Sequence, residues 1–238
     1  MTNKIAIMQP YIFPYIGYMN LVQASNNFVF YDDVNYIKKG WISRNKIILM
    51  GEPYRFSIPL KKPSQNVLIK DTELSDIDRF ADRFLKQLGL SYKNSLYKDT
   101  VLDYVREVLM SKNVNISELA IRSIKLFFQF IGVEKSFHRS SEMLSSTRHL
   151  SGADRLIEIT KSFNSSEYVN AAGGAALYNK EFFCSRGVTL SFVKPCLTAY
   201  PQLNSKDSKF YPGLSVIDML MNVPESEVLE QLDSYELI

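Results

Sequence analysis

Lys4-Ile5-Ala6-Ile7-Met8, followed at once by Gln9-Pro10 and then by apolar residues at helical spacing over 16–24, is the stretch that decides the fold. Its first five residues read as a short buried strand, because four of them are apolar and a proline halts pairing directly behind them. Residues 27–31 read as a second apolar strand, ending in Asp32-Asp33. Strand, turn, helix and strand in that order make a right-handed crossover unit, the building block of parallel sheets covered by helices. The fold class that follows is α/β, with a parallel-sheet, Rossmann-like core. Ligands of open sheets lie beyond the carboxyl ends of the strands, and here those ends carry residues 9–14 and 32–36.

Outward from this unit the pattern changes. Residues 46–50 and 55–60 read as an inserted hairpin turning around Gly51-Glu52-Pro53. Residues 77–90, 101–110 and 116–131 space their apolar side chains as amphipathic helices do, so about 76–132 is a mainly helical sub-region. A further helix over 156–163, a short strand at Tyr168-Val169, a late strand over 188–193 and a polar helix over 225–232 complete the reading. No internal repeat or low-complexity linker breaks the chain, and 238 residues fit one α/β domain spanning 1–238.

Composition narrows the function. Hydrophobic residues at 46% and charged ones at 22% belong to an ordered globular chain. A net charge of +3 without clustering argues against a nucleic-acid partner. Cys184 and Cys196 are the only cysteines, too few for a disulfide framework or a cysteine zinc site, and this fits a reducing, cytoplasmic setting. The apolar run after Met1-Thr2-Asn3-Lys4 is too short for a signal-peptide core, and no stretch nears the roughly 20 apolar residues that span a bilayer, so no membrane insertion is expected. No metal-ligand spacing stands out.

Several constellations carry chemistry. In Gln9-Pro10-Tyr11-Ile12-Phe13-Pro14-Tyr15-Ile16-Gly17-Tyr18 the prolines fix the backbone, and Gly17 bares a helix start whose free N–H groups suit a phosphate. Asp32-Asp33 could bind a divalent ion, take a proton or bond a sugar hydroxyl; an extended backbone turns only one of them to the site, and Asp33 is favoured. Lys38-Lys39-Gly40-Trp41-Ile42-Ser43-Arg44-Asn45 joins cations, the single tryptophan and an Arg-Asn pair, a set suited to a phosphorylated ligand that carries a ring. His138 and His149 are the only histidines, and His138 is a candidate base. The hydroxyl-rich stretch from Ser140-Ser141 to Asp154-Arg155 offers donors to an anion. Asn170-Ala171-Ala172-Gly173-Gly174, with Tyr178, allows close backbone approach. Tyr200-Pro201-Gln202 and Leu214-Ser215-Val216-Ile217-Asp218 could close the pocket from the other side.

The turn Tyr15-Ile16-Gly17-Tyr18 resembles the His-Ile-Gly-His-like turn after the first strand of the nucleotidyltransferase and class I aminoacyl-tRNA synthetase superfamily, with tyrosines in place of both histidines. That resemblance implies a nucleotide pocket, with Mg²⁺ accompanying the nucleotide. Taken together, Gln9-Pro10-Tyr11, Phe13-Pro14-Tyr15-Ile16-Gly17-Tyr18, Asp32-Asp33-Val34, Tyr36, Lys38, Trp41 and Arg44-Asn45 resemble the opening of the WbqC-like proteins. The likeness continues through Pro59-Leu60, Asp154-Arg155-Leu156-Ile157, Tyr168, Gly173-Gly174, Tyr178, Tyr200-Pro201-Gln202 and residues 214–218. It implies a bacterial protein from gene sets for O-antigen (lipopolysaccharide) or other surface polysaccharides, beside enzymes of nucleotide-linked amino sugars.

The expectation is a transferase acting on a nucleotide-linked amino sugar by acyl or aminoacyl transfer from a donor such as a CoA thioester or carrier protein. Gly17 and Arg44 would hold the diphosphate, Trp41 or Tyr18 would stack a ring, and Asp33 or His138 would take the amine proton. Two alternatives are an ATP-dependent adenylyl or nucleotidyl transferase, and a non-catalytic nucleotide-sugar or carrier-protein binding module.

Overall fold

The opening unit folds as its pattern requires. In the computed structural model, which describes residues 3–238, β1 (Lys4–Met8) leads through the proline turn into α1 (Ile16–Gln23), and β2 (Asn27–Phe30) returns parallel to β1. Met1 and Thr2, where the leader reading begins, lie outside the described residues. Next comes the hairpin of β3 (Arg44–Leu49) and β4 (Glu52–Ser57), a two-stranded sheet of its own. Its turn is Met50-Gly51, tighter than the one expected around Gly51-Glu52-Pro53. Both residues have positive φ, 54° and 86°, as the twist of a two-residue hairpin loop demands.

The helical block follows as α2 (Ile77–Ser91), α3 (Lys98–Leu109) and α4 (Ile116–Phe130). After it, β5 (Ser136–Arg139) pairs parallel with β2, and a single turn, α5 (Ser140–Met143), leads on. Then come α6 (Gly152–Ser162), β6 (Glu167–Ala171), α7 (Lys180–Ser185) and β7 (Thr189–Pro195). The chain ends with α8 (Val216–Asn222), α9 (Glu225–Asp233) and β8 (Tyr235–Leu237), the last antiparallel to β7.

The six-stranded sheet has the order β5-β2-β1-β6-β7-β8. The chain winds outward from β1 through β2 to β5, then crosses back to β6 and winds the other way. That reversal is the switch point of a doubly wound sheet, and it opens a crevice between the carboxyl ends of β1 and β6. Alternation sorts the side chains between two faces. Ala6, Phe28, Phe30 and Val169 face a core shared with α1, α4 and α9, whereas Ile5, Ile7, Val29, Tyr168, Leu190 and Phe192 pack with α6 and α7.

Helix α1 is buried from Ile16 to Val22, since α9 lies over its outer side. The Asn20 amide donates to the carbonyls of Gln231 (2.9 Å) and Leu232 (2.6 Å), supplying partners that the last turn of α9 lacks. Among the described residues no helix is long and apolar enough to cross a membrane.

Candidate functional site

The turn after β1 is held from three directions. Phe13 sits at φ 41°, a left-handed conformation that a bulky residue adopts only when its surroundings impose it. Its ring is fully buried, edge-on to Phe56 and Tyr104 at 6.5 and 5.8 Å between centroids. Its N–H donates to the Ser123 hydroxyl on α4 (3.1 Å). Its carbonyl accepts from the Asn45 amide on β3 (2.6 Å) and the Ser215 hydroxyl before α8 (2.7 Å). Asn45, expected to touch ligand, thus spends its amide on this turn and on the Ile12 carbonyl (3.2 Å).

Beside the turn lies a cavity of about 270 Å³ lined by Tyr11, Pro14, Tyr15, Trp41, Asn45 and Gly213. Its size is that of one ring with its substituents, and a larger ligand would extend over the rim. Trp41 is 43% exposed, and Lys46 Nζ lies 5.7 Å from the centre of its ring. Arg44 is half-buried and shares the Lys46 face of β3, opposite to that of Asn45, because strand neighbours alternate. Lys38 and Lys39 are exposed in the loop before Trp41. Burial raises the phenol pKa of Tyr11 and Tyr15, and the neighbouring Tyr15 raises that of Tyr11 further, so both rings meet a ligand as neutral hydroxyls.

Two expected contacts become supports. Tyr18 is buried, donates from its hydroxyl to the Gln9 carbonyl (2.9 Å) and props the Tyr11 ring at 5.3 Å. Gly17 leaves no room for a phosphate against its α-carbon. A Cβ there would stand 2.3 Å from the Tyr15 ring and 2.9 Å from the Pro195 ring, so the glycine is required by packing. Gly17→Ala is expected to lower stability by about 1–3 kcal/mol through overpacking. A urea melt checks this, and an unchanged midpoint would show that Tyr15 swings away freely.

A second cluster forms at the end of β2. Asp32, almost fully buried, accepts from the hydroxyls of Ser117 (3.2 Å), Ser140 (3.3 Å) and Ser141 (2.9 Å) and from the Ser141 N–H (3.1 Å). Asp33 accepts from Ser140 (2.5 Å), Arg148 (2.9 Å) and Arg155 (2.7 Å); its side chain and that of Arg155 are buried. Burial pushes the Asp33 carboxyl upward, but the bonds from Ser140, Arg155 and Arg148 outweigh it and hold its pKa below the ordinary value. The Arg155 guanidinium also lies over the Tyr31 ring at 4.8 Å and donates to Thr147 (3.1 Å). The hydroxyl-rich stretch therefore does receive anions, and they are the chain's own Asp32 and Asp33. Arg148 was not singled out from the sequence; its place in that same loop was the available signal.

His138 is not brought to either cluster. It shares hydrogen bonds with Asn27 and Ser136 (both 3.0 Å) at the amino ends of β2 and β5, and five strand residues, roughly 16 Å, separate Asn27 from Asp32. Burial and the charge of Lys125 lower its pKa. Gly174 is packed, since a Cβ would meet the Asn170 amide at 2.6 Å, whereas Gly173 faces open space. Tyr178 is half-buried against Phe183. Gln202 serves another network. It donates to Asp218 (3.0 Å), which also accepts from Tyr92 and Tyr200 (both 2.7 Å) deep between α2 and α8. Burial pushes the Asp218 carboxyl above its ordinary pKa although all three bonds pull it down. Of the two C-terminal segments, Gln202 thus meets Asp218, whereas Ser215 braces the Phe13 carbonyl (2.7 Å) and the Val216 N–H donates to the carbonyl of Pro14 in the cavity wall (2.9 Å). Among the described residues no three His, Cys, Asp or Glu side chains group as a metal site.

The chain is 22% identical to the uncharacterized protein Rv1507c of Mycobacterium tuberculosis over 223 residues, covering 93% of this chain and 94% of the relative. No solved structure matches it. A family model matches residues 9–230, a span that holds the pinned turn, the ring-lined cavity and the Asp33–Arg155 cluster, and by that match the chain belongs to the WbqC-like protein family.

Proposed function

We propose that the chain binds a nucleotide-linked amino sugar and transfers an acyl or aminoacyl group to its amine, a step in making a bacterial surface polysaccharide. The observation that carries this reading is the cavity walled by Tyr11, Tyr15 and Trp41 just past the carboxyl end of β1. Flat apolar walls with phenol tips suit a sugar or base ring. Lys38 and Lys39 in the loop before Trp41 and Lys46 beside its ring supply cations for a diphosphate, replacing the Gly17 helix start in that role.

An attacking amine must be neutral, and a poorly solvated ring-lined pocket favours the neutral form. The amine nitrogen forms a bond to the thioester carbonyl and the carbon–sulfur bond breaks. The departing thiolate takes up the proton that the amine loses, so the exchange balances without a resident base. Asp33 is committed to two guanidinium groups, which favours a second reading as a binding module without turnover.

Trp41 is the only tryptophan, so its emission reports on the cavity directly. Titration with a nucleotide-linked amino sugar is expected to change that emission saturably. Trp41→Ala is expected to weaken binding measured by calorimetry by about tenfold, the worth of one stacked ring. Mass spectrometry of mixtures with an acyl thioester then separates the readings, since an N-acylated sugar means transfer and ligand binding without product means a module. Emission that ignores every nucleotide-linked amino sugar, or affinity untouched by Trp41→Ala, would sink the proposal.

A further inference from the structure

The Asp33 cluster has donors to spare. Arg148 and Arg155 hold the same carboxylate oxygen, Asp33 Oδ2, at 2.9 and 2.7 Å, so their guanidinium groups lie side by side just past the carboxyl end of β2. Arg148 reaches it through Nε alone, and neither Nη1 nor Nη2 of its half-exposed side chain has a partner among the described residues. That edge of the fork is open. Arg155 spends Nε on Thr147 and Nη2 on Asp33; its Nη1 makes no hydrogen bond among the described residues, and although the residue is almost fully buried, that nitrogen is not sealed from water. A buried guanidinium with an unmet N–H that solvent still reaches calls for an acceptor. Tyr31 shares the spot. Burial raises its phenol pKa and the neighbouring Arg155 pulls it only partly back, so the hydroxyl stays a neutral donor beside the guanidinium.

These donors select a planar acid. The Nη1–Nη2 edge of a guanidinium offers two parallel N–H bonds that match the two oxygens of a carboxylate. Charge decides against a polyanion: Asp32, which shares Ser140 with Asp33, sets two carboxylates against the two guanidinium groups, so the cluster has no surplus positive charge for a diphosphate. We propose that Arg148, backed by Arg155 and the Tyr31 hydroxyl, binds the carboxylate of a small ligand just past the carboxyl end of β2. Asp33 fixes the fork. Its buried oxygen anchors Nε and leaves the far edge of Arg148 free, which saves part of the entropy that a mobile arginine loses on binding. None of these residues lines the aromatic cavity, and the site stands independently of acyl transfer.

NMR of the full chain, following the Nε–H signals of Arg148 and Arg155, is the test. Sodium acetate exchanged for chloride at constant ionic strength is expected to shift both signals saturably in the millimolar range, and sulfate, a dianion, to bind more weakly. Arg148→Gln should weaken acetate binding about tenfold, read from the Arg155 signal that the variant retains. Arg148→Lys keeps the charge without the fork and should lose about as much. The Trp41 emission response to nucleotide-linked amino sugar should stay unchanged in both variants. Acetate that moves neither signal beyond the chloride control in the unaltered chain overturns the proposal, whatever the variants do. Sulfate binding as tightly as acetate, or an Arg148→Lys protein that binds acetate as the unaltered chain does, overturns it as well.

Discussion

Arg155→Met lowers the unfolding free energy by about 3–5 kcal/mol at neutral pH, because it strands a buried carboxylate. Asp33 has no exposed side-chain surface, and Arg155 gives it its closest cationic contact, 2.7 Å. Arg148 remains at 2.9 Å but is 43% exposed and screened by water, so it cannot carry the charge alone. The Asp33 pKa is depressed in the fold, so its contribution is complete above the ordinary carboxylate range and disappears as pH falls through the folded value. The cost of Arg155→Met should therefore shrink as pH falls through the ordinary carboxylate range and on through the lowered folded value, where Asp33 takes a proton. Adding Asp33→Leu to Arg155→Met should recover most of the loss, since no buried charge is then left unpaired and the half-exposed Arg148 can turn to water. Chemical denaturation of the three proteins across pH is the measurement, and a penalty that persists unchanged in the double variant would mean that Arg155 matters for packing on Tyr31 instead.

Phe13→Ala should cost about 3–5 kcal/mol and disturb the ring-lined cavity at the same time. The ring is the plug between Phe56 and Tyr104, and its backbone donates to Ser123 and accepts from Asn45 and Ser215, bonds that shape the wall holding Tyr11 and Tyr15. The expected companion signal is a red shift of Trp41 emission as the cavity loosens. Phe13→Gly offers the control. Glycine adopts φ 41° without strain, so it should be less damaging than alanine by up to about 1 kcal/mol, the reverse of their usual ranking. Equal losses in the two variants would show that the positive φ stores nothing.

Much of the fold was readable because its signals are local. The apolar run of β1, the amphipathic spacing of α2, α3 and α4, and the hairpin all announce themselves within a dozen residues. β5 did not, because Ser-Phe-His-Arg holds one large apolar side chain and becomes a strand only when β2 presents its free edge. β8 is three residues long and owes its form to β7 in the same way. α8 does not announce itself as a helix, since a run of seven buried residues carries no amphipathic period. At the candidate site, Pro14, Tyr15, Trp41 and Asn45 were marked from the sequence and do line one cavity, whereas Gly17 and Tyr18 turned out to support it from behind.

By itself the sequence determined the order and type of most elements and the strand ends where side chains gather, because periodicity, proline and glycine act over a few bonds. Only the tertiary structure decided what those side chains meet. Asp33 has the same carboxylate whether it faces a ligand or a guanidinium, and its partners Ser140, Arg148 and Arg155 lie 107, 115 and 122 positions away. Charge pairing in a buried cluster depends on distances of a few ångströms, and closure of the whole sheet sets those distances.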